Sequence, residues 1–237
     1  PVIVRYLSWV GNALRGELGK SYQTGQLVSE AIALRLPVTI QLLLMAQFMA
    51  ILFAIPAGIF AAYRAGKTPD RVLTTLAFAF LAAPSFIIAI SLAFIFAVLL
   101  NWFPATGYVP FTENIFGNIR SFILPALALA LIEWPILYRV LRNDLIATLQ
   151  EDFISLAKAK GLGPLHILFG HALRPSLFTF ITIVGIQLGN LISGAVIVES
   201  IFALPGLGSL LVASIHAREI LMVQGIIALM AITYVAI

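Results

Sequence analysis

The nearest approach to a catalytic signature in this chain is GELGKS, residues 16–21, which ends in the Gly-Lys-Ser of a phosphate-binding loop. Such a loop needs a further glycine five positions ahead of Gly19, and position 14 is Leu14. No strand of the required kind precedes it. The stretch therefore reads as a surface turn, and the chain is expected to hold no nucleotide site of its own. His166, His171 and His216 lack cysteine or carboxylate partners at metal-ligand spacing. No G-x-S-x-G elbow is present, and intramembrane proteolysis lacks the paired carboxylates it would need. That leaves Glu133, in ALALIEWPILYRV, as the one clear acid well inside an apolar run. Ionisable groups are costly in lipid and default to a functional hypothesis. Two readings stand side by side: a bundle-facing structural group near the carbonyls freed by Pro135, or a proton-coupling residue of a secondary transporter.

The elements that must position these residues are set by composition. Of 237 residues, 61% are hydrophobic and 10% charged, against roughly 25% charged in soluble domains. Apolar runs of membrane-spanning length indicate an all-α, polytopic helical membrane protein, because only helices satisfy their own backbone in lipid. With no cysteine, disulfide and thiolate chemistry are excluded. The net charge of +4 sits in short loops rather than in a nucleic-acid-binding patch, so no nucleic acid is expected. Five spans are visible: about Leu36–Tyr63, Val72–Trp102, Phe122–Val140, Ser176–Phe202, and a fifth from Ile220. Pro84, with Ser85 behind it, breaks the second, and these two join Glu133 as candidates for a transport pathway. Pro56, Pro125 and Pro135 are expected to kink their helices.

Loop charge gives the orientation. Arg64, Lys67 and Arg71 crowd the loop after the first span, and Arg139, Arg142, Lys158, Lys160 and Arg174 follow the third. The opposite loops, 103–121 and 203–219, contribute only Arg120 and Arg218 as basic residues. The basic loops therefore face the cytoplasm. Segment 1–35 is then extracytoplasmic, and a further span is expected before it.

EDFISLAKAKGLGPLHILFGHALRP, residues 151–175, is the charged interruption among these runs. From Asp144 to Lys160 there is no Pro or Gly, which predicts one continuous helix. Leu145, Leu149, Phe153 and Ala157 recur at four-residue spacing, with the charges mostly elsewhere on the wheel. The helix stops at Gly161, and a second short helix from about Pro164 leads into the fourth span. A partly apolar, partly charged helix pair on the cytoplasmic side suits a partner's groove or the lipid interface.

This stretch resembles the cytoplasmic coupling loop of ABC importer permeases, although Ser155, Leu156 and Ala157 stand where that signature has Glu-Ala-Ala. Over nearly its whole length the chain is similar to the first permease subunit of dipeptide and oligopeptide importers. The similarity is carried by LRLPVTIQL, IPAGIFAA, APSF, FPATGY, LPALALAL, DFISLAKAKGL, HALRPSL and GIQLGNLISGAVIVESIFALPGLGSLL. The resemblance implies the type I ABC importer permease (MetI-like) fold with six spans. It also implies residence in the bacterial cytoplasmic (inner) membrane, with residues 36–237 as the permease domain and 141–175 as its coupling loop. Implied partners are a second homologous permease, two cytoplasmic ATPase subunits or one fused chain, an extracytoplasmic peptide-binding protein and membrane lipid. ATP and Mg would be bound by the ATPases, with no cofactor and no catalysis in this chain. Glu151, Asp152, Phe153, Ala157, Lys158, Ala159 and Gly161 are the residues carried over as ATPase contacts, Gly161 supplying a turn where a side chain would clash. Dipeptides, longer peptides, glutathione-like peptides and nickel chelates all remain open as cargo.

Overall fold

The computed structural model describes residues 9–11 and 15–236; the rest of segment 1–35 lies outside the described residues. Among the described residues, regular structure is helical, apart from one isolated bridge between Lys20 and Leu27. The chain builds α1 (Val28–Tyr63), α2 (Thr68–Ala82), α3 (Ser85–Leu92, continuing as a π-helix over Ala93–Leu99) and α4 (Ile115–Thr148). It continues with α5 (Asp152–Ala159) and α6 (Pro164–Ile167), which passes through a π-helical turn at Leu168–Ala172 into α7 (Leu173–Ile201). Two shorter helices close it, α8 (Leu207–His216) and α9 (Ile220–Ala236).

Among the described residues, three helices are long and apolar enough to cross a membrane: α1, α4 and the continuous run Pro164–Ile201. The pair α2 and α3 passes the same test jointly but is bent by 103° at the break. The bend follows from the sequence. A residue before proline is driven out of the helical region, and Ala83 sits extended at ψ 129° with Pro84 outside the first turn of α3. Pro56, Pro125 and Pro135, by contrast, stay inside unbroken helices. The helix expected from Leu36 begins at Val28, so residues 28–35 form its first two turns.

The bundle is organised around α1 and α4, which pack together most extensively. Ala46, Ala50, Ala54, Gly58 and Ala61 are all buried along α1, nearly every fourth residue. Small side chains at that spacing let two helix backbones approach closely, the packing mode available where lipid weakens any hydrophobic drive. At Gly58 a Cβ would lie 3.1 Å from the Leu141 side chain of α4. One apolar cluster joins α1, α3, α4 and α7 around Phe122, Leu124, Leu129 and Val198. A second surrounds Leu137, Tyr138, Leu141 and Leu145 and extends beneath α5 and α6 through Ile154, Ala157, Ile167 and Leu168. A third sets α8 and α9 against the start of α1 through Leu207, Met222, Ile226 and Val28. Large apolar side chains such as Phe48, Leu52, Phe94 and Phe178 point outward, as lipid contact requires.

Candidate functional site

The charged stretch forms a compact elbow rather than a straight helix. Helix α4 ends at Thr148, and Glu151 is extended (φ −69°, ψ 152°) before α5 begins. The continuous helix expected from Asp144 to Lys160 is therefore broken at 149–151, and the four-residue stripe with it. Leu145 is fully buried at the end of α4, whereas Phe153 is 47% exposed on α5. Packing overrides propensity here, because the turn lets Ile154 and Ala157 swing under the second cluster.

With those two residues anchored inward, α5 presents Glu151, Asp152, Phe153, Lys158 and Ala159 outward, along with Leu156 at 58% exposure. Ala157 belongs to the anchoring side, its side chain packed into the core of its own chain. Leu156 is not among the contact residues carried over from the resemblance, yet it is a second exposed apolar group beside Phe153. Asp152 opens α5 and Lys158 lies in its last turn, each of the sign the helix dipole favours at that end.

Gly161 follows α5 with φ +78°, and its amide donates to the Lys158 carbonyl at 2.9 Å. An added Cβ there meets nothing within 4 Å. Glycine takes left-handed backbone without the steric cost a Cβ would bring, and no clash with a described residue contributes. Leu162 N–H then donates to the Ala157 carbonyl at 3.3 Å, closing the end of the helix.

The pathway candidates differ in exposure. Pro84 is exposed and Ser85 partly buried at the bend between α2 and α3. Glu133 is 3% exposed in the interior face of α4, and its Oε1 has no hydrogen-bond partner among the described residues. Gln47 of α1 and the Trp134 indole nitrogen are likewise buried without partners.

Sequence reasoning missed the acid that is most completely engaged. Glu199, near the end of α7, is 0% exposed, so Glu133 is not alone as an acid inside a helix of spanning length. Its Oε2 accepts from the amides of Gly208 (2.7 Å) and Ser209 (3.1 Å), and its Oε1 accepts from Thr39 Oγ1 at 2.6 Å. Thr39 Oγ1 in turn accepts the Leu207 amide at 2.8 Å. The first three amides of α8, which no helix satisfies internally, are thus all taken. The glycines of IFALPGLG make this possible. A Cβ on Gly206 would come within 2.3 Å of the Glu199 carboxylate, and one on Gly208 within 2.4 Å of the Val196 backbone.

The other end of α8 is fixed by Glu219. It accepts from Ser21 Oγ (2.8 Å), Tyr22 N–H (3.1 Å) and Gln23 N–H (2.8 Å), while Gln23 Nε2 donates to the Ala217 carbonyl at 2.9 Å. The hydrogen bond from Ser21, with the two amides, holds this carboxyl below the usual carboxylate range. Ser21 of GELGKS is therefore a partner of Glu219, in a turn closed by the Lys20–Leu27 bridge. These bonds put segment 19–27 beside the 217–219 corner, on the one side that the loop charges assign to both.

On the basic side, Asp70 at the start of α2 takes both Nε (2.5 Å) and Nη2 (2.6 Å) of Arg142 from α4. Its Oδ2 also accepts the Gly66 amide at 2.8 Å. Nothing in the sequence marked Asp70 beyond an acid within a basic loop, and 72 residues separate the pair. Among the described residues, no group of three or more metal-ligating side chains comes together.

Residues 54–237 match the family model described as the binding-protein-dependent transport system inner membrane component. The whole chain is 41% identical over 237 residues to a putative peptide transport system permease protein of Brucella abortus, covering 76% of it. It is 38% identical to an oligopeptide transport system permease protein of Bacillus subtilis, with 99% of this chain and 75% of that one aligned. A di/tripeptide transport system permease protein of Pseudomonas aeruginosa is 33% identical, with 98% and 75% covered. Among solved structures, the inward-facing MetNI methionine ABC transporter superimposes with a TM-score of 0.68 at 16% identity, covering 86% of this chain and 90% of that one. That likeness supports the fold: a helical, multi-pass permease of the MetI-like kind.

Proposed function

Because the chain belongs to the family of binding-protein-dependent transport system inner membrane components, we propose that it is one permease subunit of an ATP-driven importer of dipeptides or oligopeptides. In this reading it forms half of a translocation pore with a second, homologous permease in the bacterial inner membrane. The peptide cargo rests on the similarity to the peptide permeases of Brucella, Bacillus and Pseudomonas.

The observation that carries the mechanism is the two-sided helix α5. Its inner side, Ile154 and Ala157, is buried in the same cluster as Leu141, Leu145, Ile167 and Leu168, so α5 moves only with the ends of α4 and α6. Its outer side offers Phe153 and Leu156 ringed by Glu151, Asp152, Lys158 and Lys160. An apolar centre with a charged rim is the composition of a protein docking site. The partners it fits are cytoplasmic ATPase subunits, two chains or one fused chain, which bind ATP and Mg. Closure of those subunits around ATP would push α5 and, through its buried side, tilt α4 and α7. An extracytoplasmic binding protein would deliver cargo at the opposite face, where segment 19–27 and α8 are tied together. This chain's part is to bind, move and form a path, with hydrolysis in the partners.

The test is affinity purification of the tagged chain in mild detergent from the native membrane. Co-purification of ATPase subunits and a second permease is the expected result. Phe153→Asp with Leu156→Asp should release the ATPases and leave the second permease bound. Recovery of the chain with neither partner would sink the reading.

A further inference from the structure

Helix α2 presents a puzzle of attachment. It has 15 residues, yet Ala77 is its only buried apolar side chain; the other buried residue is Asp70. Half-buried Leu73 and Phe80 also pack against the core clusters, so its apolar grip is confined to one narrow edge. Beside that edge runs a series of polar and aromatic contacts to α4. Asp70 takes the Arg142 guanidinium with both oxygens, at 2.5 and 2.6 Å. One turn on, the Thr74 hydroxyl lies 3.1 Å from the Tyr138 hydroxyl. One turn further, the Arg139 guanidinium sits over the Phe78 ring at 5.1 Å from its centroid. Beyond that, Phe80 meets Trp134 edge to face at 6.2 Å. Positions 70, 74 and 78 recur at four-residue spacing; against Asp70, Thr74 and Phe80 the partners Arg142, Tyr138 and Trp134 descend α4 in the antiparallel sense, while Phe78 meets Arg139 out of that order.

The strongest contact is at the cytoplasmic end. Asp70 is 3% exposed, and its Oδ2 also accepts the Gly66 amide, so loop 64–67 is tied in as well. Arg142 stands within two turns of the end of α4, directly before the elbow that carries α5. The far end of α2 is the 103° bend at Ala83–Pro84. A bidentate, sheltered guanidinium–carboxylate pair is both strong and geometrically fixed. Fixed at one end and weakly packed along its length, α2 is a lever with its pivot at Pro84.

We propose that the Asp70–Arg142 pair is a transmission clamp: it binds α2 to the α5-bearing end of α4, so that displacement of α5 is delivered to the bend at Pro84. Asp70 is a positioning residue and touches no cargo. This rests on the ATP-driven reading above for the origin of the displacement, but the clamp itself is a property of this chain.

The experiment uses the whole complex in lipid nanodiscs and proteoliposomes. This sequence contains no cysteine, so within it nitroxides sit on introduced cysteines alone, and the complex is assembled after labelling of this subunit. One pair, Leu76→Cys with Lys160→Cys, spans α2 and the end of α5. The other, Leu76→Cys with Phe94→Cys, spans the bend. In the parent chain the first distance should be narrow and equal in the nucleotide-free and vanadate-trapped ATP states, while the second changes between them. In Asp70→Asn the first distribution should broaden and the second should cease to respond. Uptake of tetra-alanine per ATP hydrolysed should then fall roughly tenfold, as for loss of a charge-assisted bidentate contact, with the ATPases still bound. Asp70→Arg with Arg142→Asp should restore a narrow first distance and part of the uptake. If that double variant does not assemble, the distances in Asp70→Asn decide. Unchanged distances and unchanged uptake per ATP in Asp70→Asn would overturn the clamp. So would failure of both Asp70→Asn and Asp70→Glu to assemble, which would make the pair a folding requirement alone. A parent complex that binds no ATPase would overturn the functional reading instead, and the Leu76–Lys160 distance would still report on the pair.

Discussion

Glu199 and Glu219 each gather backbone amides beside α8, Glu199 those of α8 itself and Glu219 those of Tyr22 and Gln23. Glu199 is enclosed and satisfies three amides through one carboxylate and one threonine hydroxyl. Glu199→Leu strands the Gly208 and Ser209 amides in a dry site, at about 1–3 kcal/mol for each unsatisfied group. The expected outcome is a lower thermal midpoint and faster amide exchange over Leu207–Leu211. Exchange in the α5 region should be unaffected. Thr39→Val should show a smaller loss of the same kind, centred on Leu207. Glu219 lies outside the spans, and its acidity is increased by Ser21 and the amides of Tyr22 and Gln23. A carboxyl whose folded pKa is lowered stabilises the fold above its unfolded pKa of about 4.3, and that contribution is lost as pH falls through the folded value. Amide exchange at Tyr22 and Gln23, corrected for its intrinsic pH dependence, should therefore be slow at neutral pH and accelerate below about pH 4. Glu219→Gln should flatten that response.

At the scale of elements, the membrane helices were legible because their signal is local. Long apolar runs, a Pro preceded by an extended residue, and a Gly after a charged helix each act within a few residues. Two things in the same region were not legible. The break at 149–151 has no Pro or Gly to announce it; it exists because Ile154 and Ala157 gain burial under α4 and α6. The pairs Asp70–Arg142, Thr39–Glu199 and Ser21–Glu219 join positions 72, 160 and 198 residues apart. No periodicity reports contacts of that separation. Gly161 lies between these cases, since its turn was legible but the reason for glycine was not. Left-handed backbone costs a residue with a Cβ about 1–2 kcal/mol, and Asn bears it better than a β-branched residue. With open space around the position, Gly161→Asn should retain binding-protein-stimulated ATP hydrolysis in the assembled complex, while Gly161→Val loses most of it and still inserts. Equal loss in both would point to crowding by the docked partner rather than to backbone conformation.

For the whole molecule, the decisive matter is where the driving energy enters. The ATP-driven reading brings it in at α5, at the cytoplasmic end of α4. A proton-driven transporter would bring it in at Glu133, about four turns deeper along the same helix. The two cannot be separated by burial alone, because Glu133 is enclosed in either case and its Oε1 is without a partner. They differ in what a neutral isostere does. Glu133→Gln keeps the volume and a hydrogen-bonding end but carries no exchangeable charge. If Glu133 is a packed polar group of the bundle, uptake of tetra-alanine by proteoliposomes loaded with ATP should stay within about twofold of the parent, as for surface-neutral or well-accommodated substitutions. It should also persist when the proton gradient is collapsed at constant ATP. If Glu133 carries the coupling proton, uptake should vanish in Glu133→Gln and should follow the gradient in the parent, whatever the ATP supply. The buried amide of Gln47 and the indole of Trp134 serve as internal controls. Gln47→Leu removes two unpartnered polar atoms from the interior, a change that is near neutral or stabilising where the group only packs. A rise in thermal midpoint with uptake intact would mark this interior layer as scaffold. A stabilised chain that no longer transports would show that these groups find their partners in another conformation of the cycle.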